Sequence, residues 1–220
     1  MKLSEFDTIF ALSSGSVPAG VAVIRISGLQ VRFALETLGI GELEPRMASL
    51  KSIRKQNNQL IDKGLVLFFP NPHSFTGEDC AELHVHGGRA VVDSIFDELS
   101  ALDGFRFAEA GEFTKRAYDN GTMDLTEAEG LADLLSSETE MQRKLAVEQA
   151  DGGLRRLYEQ WNAQILRSRA LIEAELDFSD EEDIPGSVSD QIWSDISSLI
   201  IDMKDHLEKS KIGEISRSGF

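Results

Sequence analysis

Hydrophobic and polar residues follow two different patterns along this chain. In the first 118 residues, apolar residues form short runs rich in β-branched and aromatic side chains, separated by Gly and Pro. Such runs predict β-strands. The six runs cover residues 8–13, 19–27, 48–54, 61–69, 81–86 and 104–108. Two further segments, residues 29–38 and 88–102, are predicted to be helices between strands, so we expect an α/β or α+β domain.

The second part of the chain has apolar residues at helical spacing instead. One helix is predicted over residues 126–150, begun by a capping box of Thr126 and Glu129 and ended by Gly152 and Gly153. Two more amphipathic helices are predicted from residue 154 to 176 and from residue 188 to 207. We therefore expect an all-α bundle segment over residues 119–220, after an α/β domain over residues 1–118.

The charge of the chain changes at the same boundary. The whole sequence has 38 acidic and 22 basic residues, a formal charge of -16. Residues 1–118 contain 15 acidic and 12 basic residues, whereas residues 119–220 contain 23 and 10. This acidity opposes unspecific attraction to nucleic acid phosphates or anionic lipid. With one cysteine, no signal-peptide pattern and no long apolar run, we expect a cytoplasmic protein without a membrane partner.

Arg25 interrupts an otherwise apolar strand, GVAVIRISG at residues 20–28. A guanidinium on such a strand needs a partner, because an unpaired buried charge is strongly destabilising. Three explanations stay open at this point. Arg25 could pair with a structural carboxylate, bind an anionic ligand, or be exposed at the strand end.

The densest set of polar residues is FTGEDCAELHVHGG, residues 75–88. The two-residue period of a strand places Glu82, His84 and His86 on one face. A carboxylate and two imidazoles could bind a divalent metal ion, but three ligands from one straight strand converge poorly. We therefore favour a polar pocket wall in which Glu82 accepts hydrogen bonds from a ligand. A plain solvent-facing strand is the remaining interpretation.

A third polar segment, residues 108–125, contains the adjacent basic residues Lys115 and Arg116. It is predicted to be a short helix ended by Asn120 and Gly121, and helix capping with surface salt bridges would explain most of its polar residues. The sequence contains no Ser-His-Asp or Cys-His arrangement that stands out as a nucleophile. It also contains no G-x-x-x-x-G-K-[ST] motif, so this chain has no P-loop of its own.

Five strings in this sequence, in this order and at these spacings, closely resemble the tRNA-modification GTPase family known as MnmE or TrmE. They are GVAVIRISG (20–28), FTGEDCAELHVHGG (75–88), AGEFTKRAYDNGTMDL (110–125), TEAEGLADLL (126–135) and AELDFSDEEDI (174–184). The resemblance covers the whole chain. It implies that the chain is the front part of such a protein, and we expect it to stop where a Ras-like GTP-binding domain would be inserted into the helical domain.

The resemblance implies an N-terminal domain that binds 5-formyltetrahydrofolate, or a related one-carbon tetrahydrofolate, and forms a homodimer. With the flavin-dependent partner MnmG (GidA), members of this family modify C5 of the wobble uridine of certain tRNAs, using a folate-borne one-carbon unit and GTP hydrolysis. GTP, Mg²⁺ and K⁺ would be bound by the GTP-binding domain that this chain lacks. We therefore expect no GTP hydrolysis by this chain alone.

By position, the resemblance assigns Arg25, Glu82 and Thr122 to folate contacts, and it assigns no catalytic or metal-binding residue. Family members often have a basic residue where this chain has Thr122, which leaves that contact open. A reduced folate has N–H donors on its pterin edge and carboxylates on its tail, so Glu82 suits the first and Arg25 the second. The alternatives are a metal-dependent enzyme that uses Glu82, His84 and His86, or an interaction scaffold that binds no ligand.

Overall fold

A computed structural model describes residues 7–177 and 188–218 of the chain. The chain divides into two units, Met1–Met123 and Asp124–Phe220. The boundary predicted from composition, between residues 118 and 119, lies at the end of a helix of the first unit. Among the helices of the described residues, none is long and apolar enough to cross a membrane.

From residue 7 onwards, where its description begins, the first unit has a six-stranded sheet and three helices. Its strands are β1 (Thr8–Leu12), β2 (Ala19–Ser27), β3 (Ser49–Arg54), β4 (Leu60–Phe69), β5 (Cys80–Gly87) and β6 (Phe105–Phe107). Its helices are α1 (Val31–Thr37), α2 (Arg89–Ser100) and α3 (Glu112–Asp119). The strand order is β3-β4-β5-β2-β1-β6, with β1 and β6 parallel and the other neighbours antiparallel. The predicted mixed fold is confirmed, because each predicted strand and helix of this unit has a counterpart.

The hydrophobic core of this unit lies on one face of the sheet. Alternate residues of β2 and β5 are buried there, because side chains on a strand point to opposite faces in turn. They are Ala22, Ile24 and Ile26 on β2, and Ala81, Leu83 and Val85 on β5. Residues at helical spacing on α2, Val92, Ile95 and Leu99, belong to the same buried cluster.

The opposite face of the sheet is more open to solvent. Arg25, Glu82 and His84 alternate with the buried residues and therefore point to this face. Several apolar side chains on the same face are exposed, among them Val21, Leu50 and Leu65. The sheet thus presents the predicted polar residues next to an exposed apolar surface.

Helices are the only regular structure in the described part of the second unit, as predicted. Its helices are α4 (Leu125–Ser136), α5 (Glu140–Ala150), α6 (Gly153–Asp177) and α7 (Val188–Ser218). Residues 178–184 of the acidic string AELDFSDEEDI lie outside the described residues.

The prediction of one helix over residues 126–150 is wrong. The structure has two helices, α4 and α5, because Ser137 and Thr139 are in extended conformations and end the first helix. The predicted capping box of Thr126 and Glu129 is also wrong. The N-cap lies two residues earlier, at Asp124, and the capping box pairs Asp124 with Glu127.

A second capping box starts α5. Thr139 accepts a hydrogen bond from the backbone N–H of Gln142, whose side chain reaches back to Thr139. This Thr-x-x-Gln spacing after Ser136 and Ser137 is a readable start signal that the apolar periodicity concealed.

Candidate functional site

Arg25 and Glu82 form a direct ion pair on the open face of the sheet. The antiparallel register of β2 and β5 places the two residues opposite each other. Arg25 Nε and Nη2 donate to Glu82 Oε1 at 3.1 and 2.8 Å. Of the three explanations for Arg25, the structure therefore shows a carboxylate partner. The side chains remain 24% and 20% exposed, so the pair is accessible to a ligand.

Two aromatic rings flank the guanidinium of Arg25. Its Cζ atom lies 4.9 Å from the ring centroid of Phe75 and 5.6 Å from that of Phe113. A guanidinium at such distances is attracted by the negative face of an aromatic ring, which restricts where the side chain can lie. Phe75 belongs to the segment before β5 and Phe113 to α3, so three parts of the first unit meet at Arg25.

Glu82 also contacts His84, but His86 does not join them. Glu82 Oε2 lies 3.3 Å from His84 Nε2. His86 instead faces Asp62 on β4, whose carboxylate oxygens lie 2.9 and 3.1 Å from Nδ1 of the His86 ring. The three side chains of the predicted metal site are thus separated: His84 contacts Glu82, whereas His86 contacts Asp62. Within the described residues, no group of three His, Cys, Asp or Glu side chains could hold a metal ion.

Asp62 fixes the end of β5 as well as the ring of His86. Its carboxylate accepts hydrogen bonds from the backbone N–H groups of His86 and Lys63, both at 2.8 Å. Burial raises the pKa of Asp62, but these hydrogen bonds and the one with the His86 ring outweigh it and hold the pKa below its ordinary value. Asp62 is therefore ionised at neutral pH and has its acceptor atoms engaged within the protein.

Thr122 contacts the backbone of Phe75, whose ring lies against Arg25. Its hydroxyl is within hydrogen-bond distance of two backbone carbonyls, that of Phe75 at 3.1 Å and that of Ala117 at 2.9 Å. A hydroxyl has one hydrogen to donate, so the carbonyls share it, and its oxygen can still accept from a ligand. Thr122 cannot supply the positive charge of a basic residue, but it helps to place the segment that contains Phe75.

Arg116 forms salt bridges, as predicted for the segment 108–125, but it is mostly buried and they are not surface salt bridges. Its side chain is 11% exposed, and Nη1 lies 3.1 Å from each carboxylate oxygen of Glu78. The Nη2 atom donates to Glu112 at 3.2 Å. The four-residue spacing of Glu112 and Arg116 on a helix is a signal that sequence analysis could have used. The contact with Glu78 joins distant segments and has no such signal.

Glu112 connects this pair to a second arginine. Arg106 Nη1 and Nη2 donate to the two oxygens of Glu112 at 2.8 and 2.6 Å, and Arg106 Nε donates to Asp7 at 3.1 Å. Burial raises the pKa of Glu112, but hydrogen bonds from Arg106, the Glu109 backbone and Arg116 lower it to about 2. Hydrogen bonds to Glu112 likewise raise the pKa of Arg106. Glu112 and Arg106 are therefore both charged at neutral pH.

Comparison with known proteins covers both units of the chain. The family of the GTP-binding protein TrmE N-terminus matches residues 8–122, and the MnmE helical domain matches residues 125–220. The tRNA modification GTPase MnmE of Sinorhizobium medicae (strain WSM419) is 59% identical over 214 residues, which are 97% of this chain and 48% of that protein.

Two further relatives have the same name. The tRNA modification GTPase MnmE of Rhizobium meliloti (strain 1021) is 57% identical over 97% of this chain and 48% of its own length. That of Brucella canis (strain ATCC 23365 / NCTC 10854 / RM-666) is 56% identical over 98% of this chain and 49% of its own length. The chain spans about half the length of the curated relatives that it matches.

Proposed function

We propose that the first unit binds 5-formyltetrahydrofolate or a related one-carbon tetrahydrofolate. The premise is that this chain belongs to the MnmE (TrmE) family of tRNA modification GTPases. The observation that carries this proposal is the accessible pair of Arg25 and Glu82, flanked by the rings of Phe75 and Phe113. This set combines a cation, a carboxylate and aromatic surfaces in one place.

The donor and acceptor groups of this set fit a reduced folate. A carboxylate has about four acceptor positions. Arg25 takes two of them on Oε1 and His84 one on Oε2, which leaves one on Oε2 for an N–H donor of a pterin. Arg25 uses only its Nε and Nη2 atoms in hydrogen bonds within the described residues, so further N–H groups can bind a carboxylate of the folate tail.

The chemistry of the one-carbon transfer would come from the folate when it is bound. The residues of this chain would bind and orient the folate. Glu82 would accept a hydrogen bond from the pterin edge of the folate, and Arg25 would bind a negatively charged group of the folate. Thr122 would accept a hydrogen bond from the folate. No proton transfer needs to be assigned to these side chains. We therefore regard them as binding residues.

The activity of the whole protein is also a proposal. It would modify C5 of the wobble uridine of tRNA together with the flavin-dependent partner MnmG (GidA), and would bind GTP, Mg²⁺ and K⁺ in a GTP-binding domain. The sequence of this chain has no P-loop motif, so pure chain should not release phosphate from GTP. The acidic residues 119–220 support the view that tRNA binds mainly elsewhere in the assembled complex.

Homodimerisation through the first unit is the remaining part of the proposal. The exposed apolar side chains of Val21, Leu50 and Leu65 on the open face support it, since such a surface is favourable to cover. Sedimentation equilibrium of the chain and of a Leu50→Glu, Leu65→Glu variant tests it. A monomeric wild-type chain would contradict homodimerisation.

The folate proposal is tested by calorimetric titration of 5-formyltetrahydrofolate into the wild-type chain and into Arg25→Ala and Glu82→Ala variants. The matched control is Arg143→Ala, because Arg143 also pairs with a carboxylate, that of Glu140, but does so on the exposed surface of α5 in the second unit. We expect saturable binding that weakens at least about tenfold in the two site variants and persists in the control.

A folded wild-type chain that binds no folate would contradict this proposal. The interaction scaffold would then be the better interpretation. Equal losses in the control variant would show that the effect does not depend on the Arg25 and Glu82 site.

A further inference from the structure

We infer that Arg116 is a positioning residue of the Arg25 and Glu82 site: it holds the segment 75–79 against α3, and so keeps the rings of Phe75 and Phe113 on Arg25. The part of this inference that concerns ligand affinity depends on the proposed folate function. The part that concerns the position of Arg25 does not. No hydrogen bond joins Arg116 to Arg25 among the described residues, so the effect would be indirect.

The segment 75–79 contains no regular structure, and side chains from other elements bind its backbone and its two carboxylates, those of Glu78 and Asp79. Arg116 binds Glu78, which also accepts a hydrogen bond from Ser27 at 2.7 Å. A conformation held by contacts outside the segment depends on those contacts. Arg116 links the segment to two further places in the first unit, since it also donates to the Asp7 carbonyl at 2.9 Å and to Glu112 at 3.2 Å.

The turn after α3 adds two hydrogen bonds to the same segment. Asn120 Nδ2 donates to the Thr76 carbonyl at 2.7 Å, and the Thr122 hydroxyl lies 3.1 Å from the Phe75 carbonyl. We call the contacts of Arg116, Asn120 and Thr122 with the segment 75–79 the α3 clamp. The backbones approach closely here, since a Cβ added to Gly77 would lie 2.9 Å from Cβ of Asn120.

The α3 clamp sets the positions of both aromatic rings that lie beside Arg25. Phe113 belongs to α3 itself, and Phe75 belongs to the segment that α3 holds. If the clamp loosens, Phe75 moves relative to Phe113, and the Arg25 guanidinium loses part of its aromatic support. The carboxylate of Glu82 would still attract Arg25, but its geometry would be less restricted. Arg116 and Asn120 therefore orient residues that bind a ligand without touching the ligand themselves.

Nuclear magnetic resonance of the Arg25 side chain tests the inference without any ligand. The rings of Phe75 and Phe113 should displace the Arg25 Cδ–H and Nε–H signals, and Phe75→Leu should remove part of that displacement. We expect Arg116→Met and Asn120→Ala to move the Arg25 signals in the same direction as Phe75→Leu. Arg143→Met is the control, because Arg143 pairs with Glu140 on the exposed surface of α5.

Unchanged Arg25 signals in a folded Arg116→Met variant would overturn the inference. If Arg116→Met does not fold, Asn120→Ala decides the question, because Asn120 is exposed and contributes a single hydrogen bond to the clamp.

A double-mutant cycle on 5-formyltetrahydrofolate affinity separates positioning from general stability. Arg116→Met should weaken binding about tenfold in the wild-type background and hardly at all in the Phe75→Leu background, because the clamp would act through Phe75. Equal losses in both backgrounds would contradict the inference. A wild-type chain that binds no folate would refute the proposed function, while the resonance experiment would still decide the role of Arg116.

Discussion

Arg25 lies directly opposite Glu82 on neighbouring strands, and both of its hydrogen bonds end on the same carboxylate oxygen, Oε1. The other oxygen of Glu82 faces His84. Water reaches about a fifth to a quarter of each side chain, so the pair is neither fully buried nor a free surface ion pair. The ion pair should therefore contribute only modestly to stability. Its main effect would be to hold a cation and a carboxylate in place for a ligand.

Removal of one partner of this pair should be more harmful than removal of both. Arg25→Met should lower the free energy of unfolding of the first unit by about 1–2 kcal/mol, because Glu82 then stays largely buried without its cation. In a Glu82→Leu background the same substitution should cost less. Amide hydrogen exchange of β2 and β5 measures both values. Additive losses would show that the two charges are not coupled.

The stability of the first unit should depend on pH through Glu112. Its pKa of about 2 lies below the ordinary value of 4.5, so ionised Glu112 favours the folded state. This contribution, about 3 kcal/mol, is present above pH 4.5 and is lost as the pH falls from 4.5 towards 2. Urea unfolding followed by the amide signals of the first unit should show that Glu112→Gln is less stable than wild type at pH 6, with less than half of that difference left at pH 3.

Glu140→Gln is the control for this experiment, because Glu140 makes a similar contact to Arg143 on an exposed helix surface. It should have little effect on stability at any pH. A wild-type to Glu112→Gln difference that does not change with pH would contradict the assignment.

The start of α4 should depend on Asp124 rather than on Thr126. Asp124 Oδ1 accepts from the Glu127 backbone N–H at 2.9 Å, and Glu127 Oε2 accepts from the Asp124 N–H at 2.7 Å. Asp124→Ala should destabilise the second unit by about 1 kcal/mol, whereas Thr126→Ala should cost less. Both tryptophans, Trp161 and Trp193, belong to this unit, so their fluorescence during urea unfolding measures the difference. A larger loss for Thr126→Ala would contradict the observed capping box.

Gly130 should resist substitution by alanine although alanine favours helices. A Cβ at this position would lie 2.5 Å from the backbone N of Ala150 and 2.9 Å from the carbonyl carbon of Gln149, so α4 and α5 would have to separate. We expect Gly130→Ala to destabilise the second unit by about 1–3 kcal/mol. Glu129→Ala, at the exposed neighbouring position, is the control. Tryptophan fluorescence during thermal unfolding measures both, and a stabilised Gly130→Ala variant would show that the helices do not pack this closely.

The periodicity of the apolar residues was sufficient to predict the strands of the first unit and the helical nature of the second. A strand buried on one face must repeat every two residues and an amphipathic helix every three or four, so both leave a local pattern. The pattern did not show the break between α4 and α5. That break depends on the extended backbone at Ser137 and Thr139, and apolar residues continue at helical spacing across it.

The family, too, could be recognised from short strings of residues, and the match of both family models confirms it. The assignment of Arg25, Glu82 and Thr122 to folate contacts stays a prediction. The structure adds that Arg25 and Glu82 touch each other and that Thr122 supports Phe75.

The sequence by itself determined the local features: which segments are strands or helices, where the composition changes, and which side chains are polar on an apolar strand. Only the tertiary structure decided which side chains contact each other. Arg25 meets Glu82 because of the register of β2 and β5, His86 meets Asp62 because β4 lies beside β5, and Arg116 meets Glu78 because α3 packs on a distant segment. Such contacts join residues that are far apart in the chain, and no local spacing encodes them. They depend on the strand order, the strand register and the packing of helices, which the whole chain sets together.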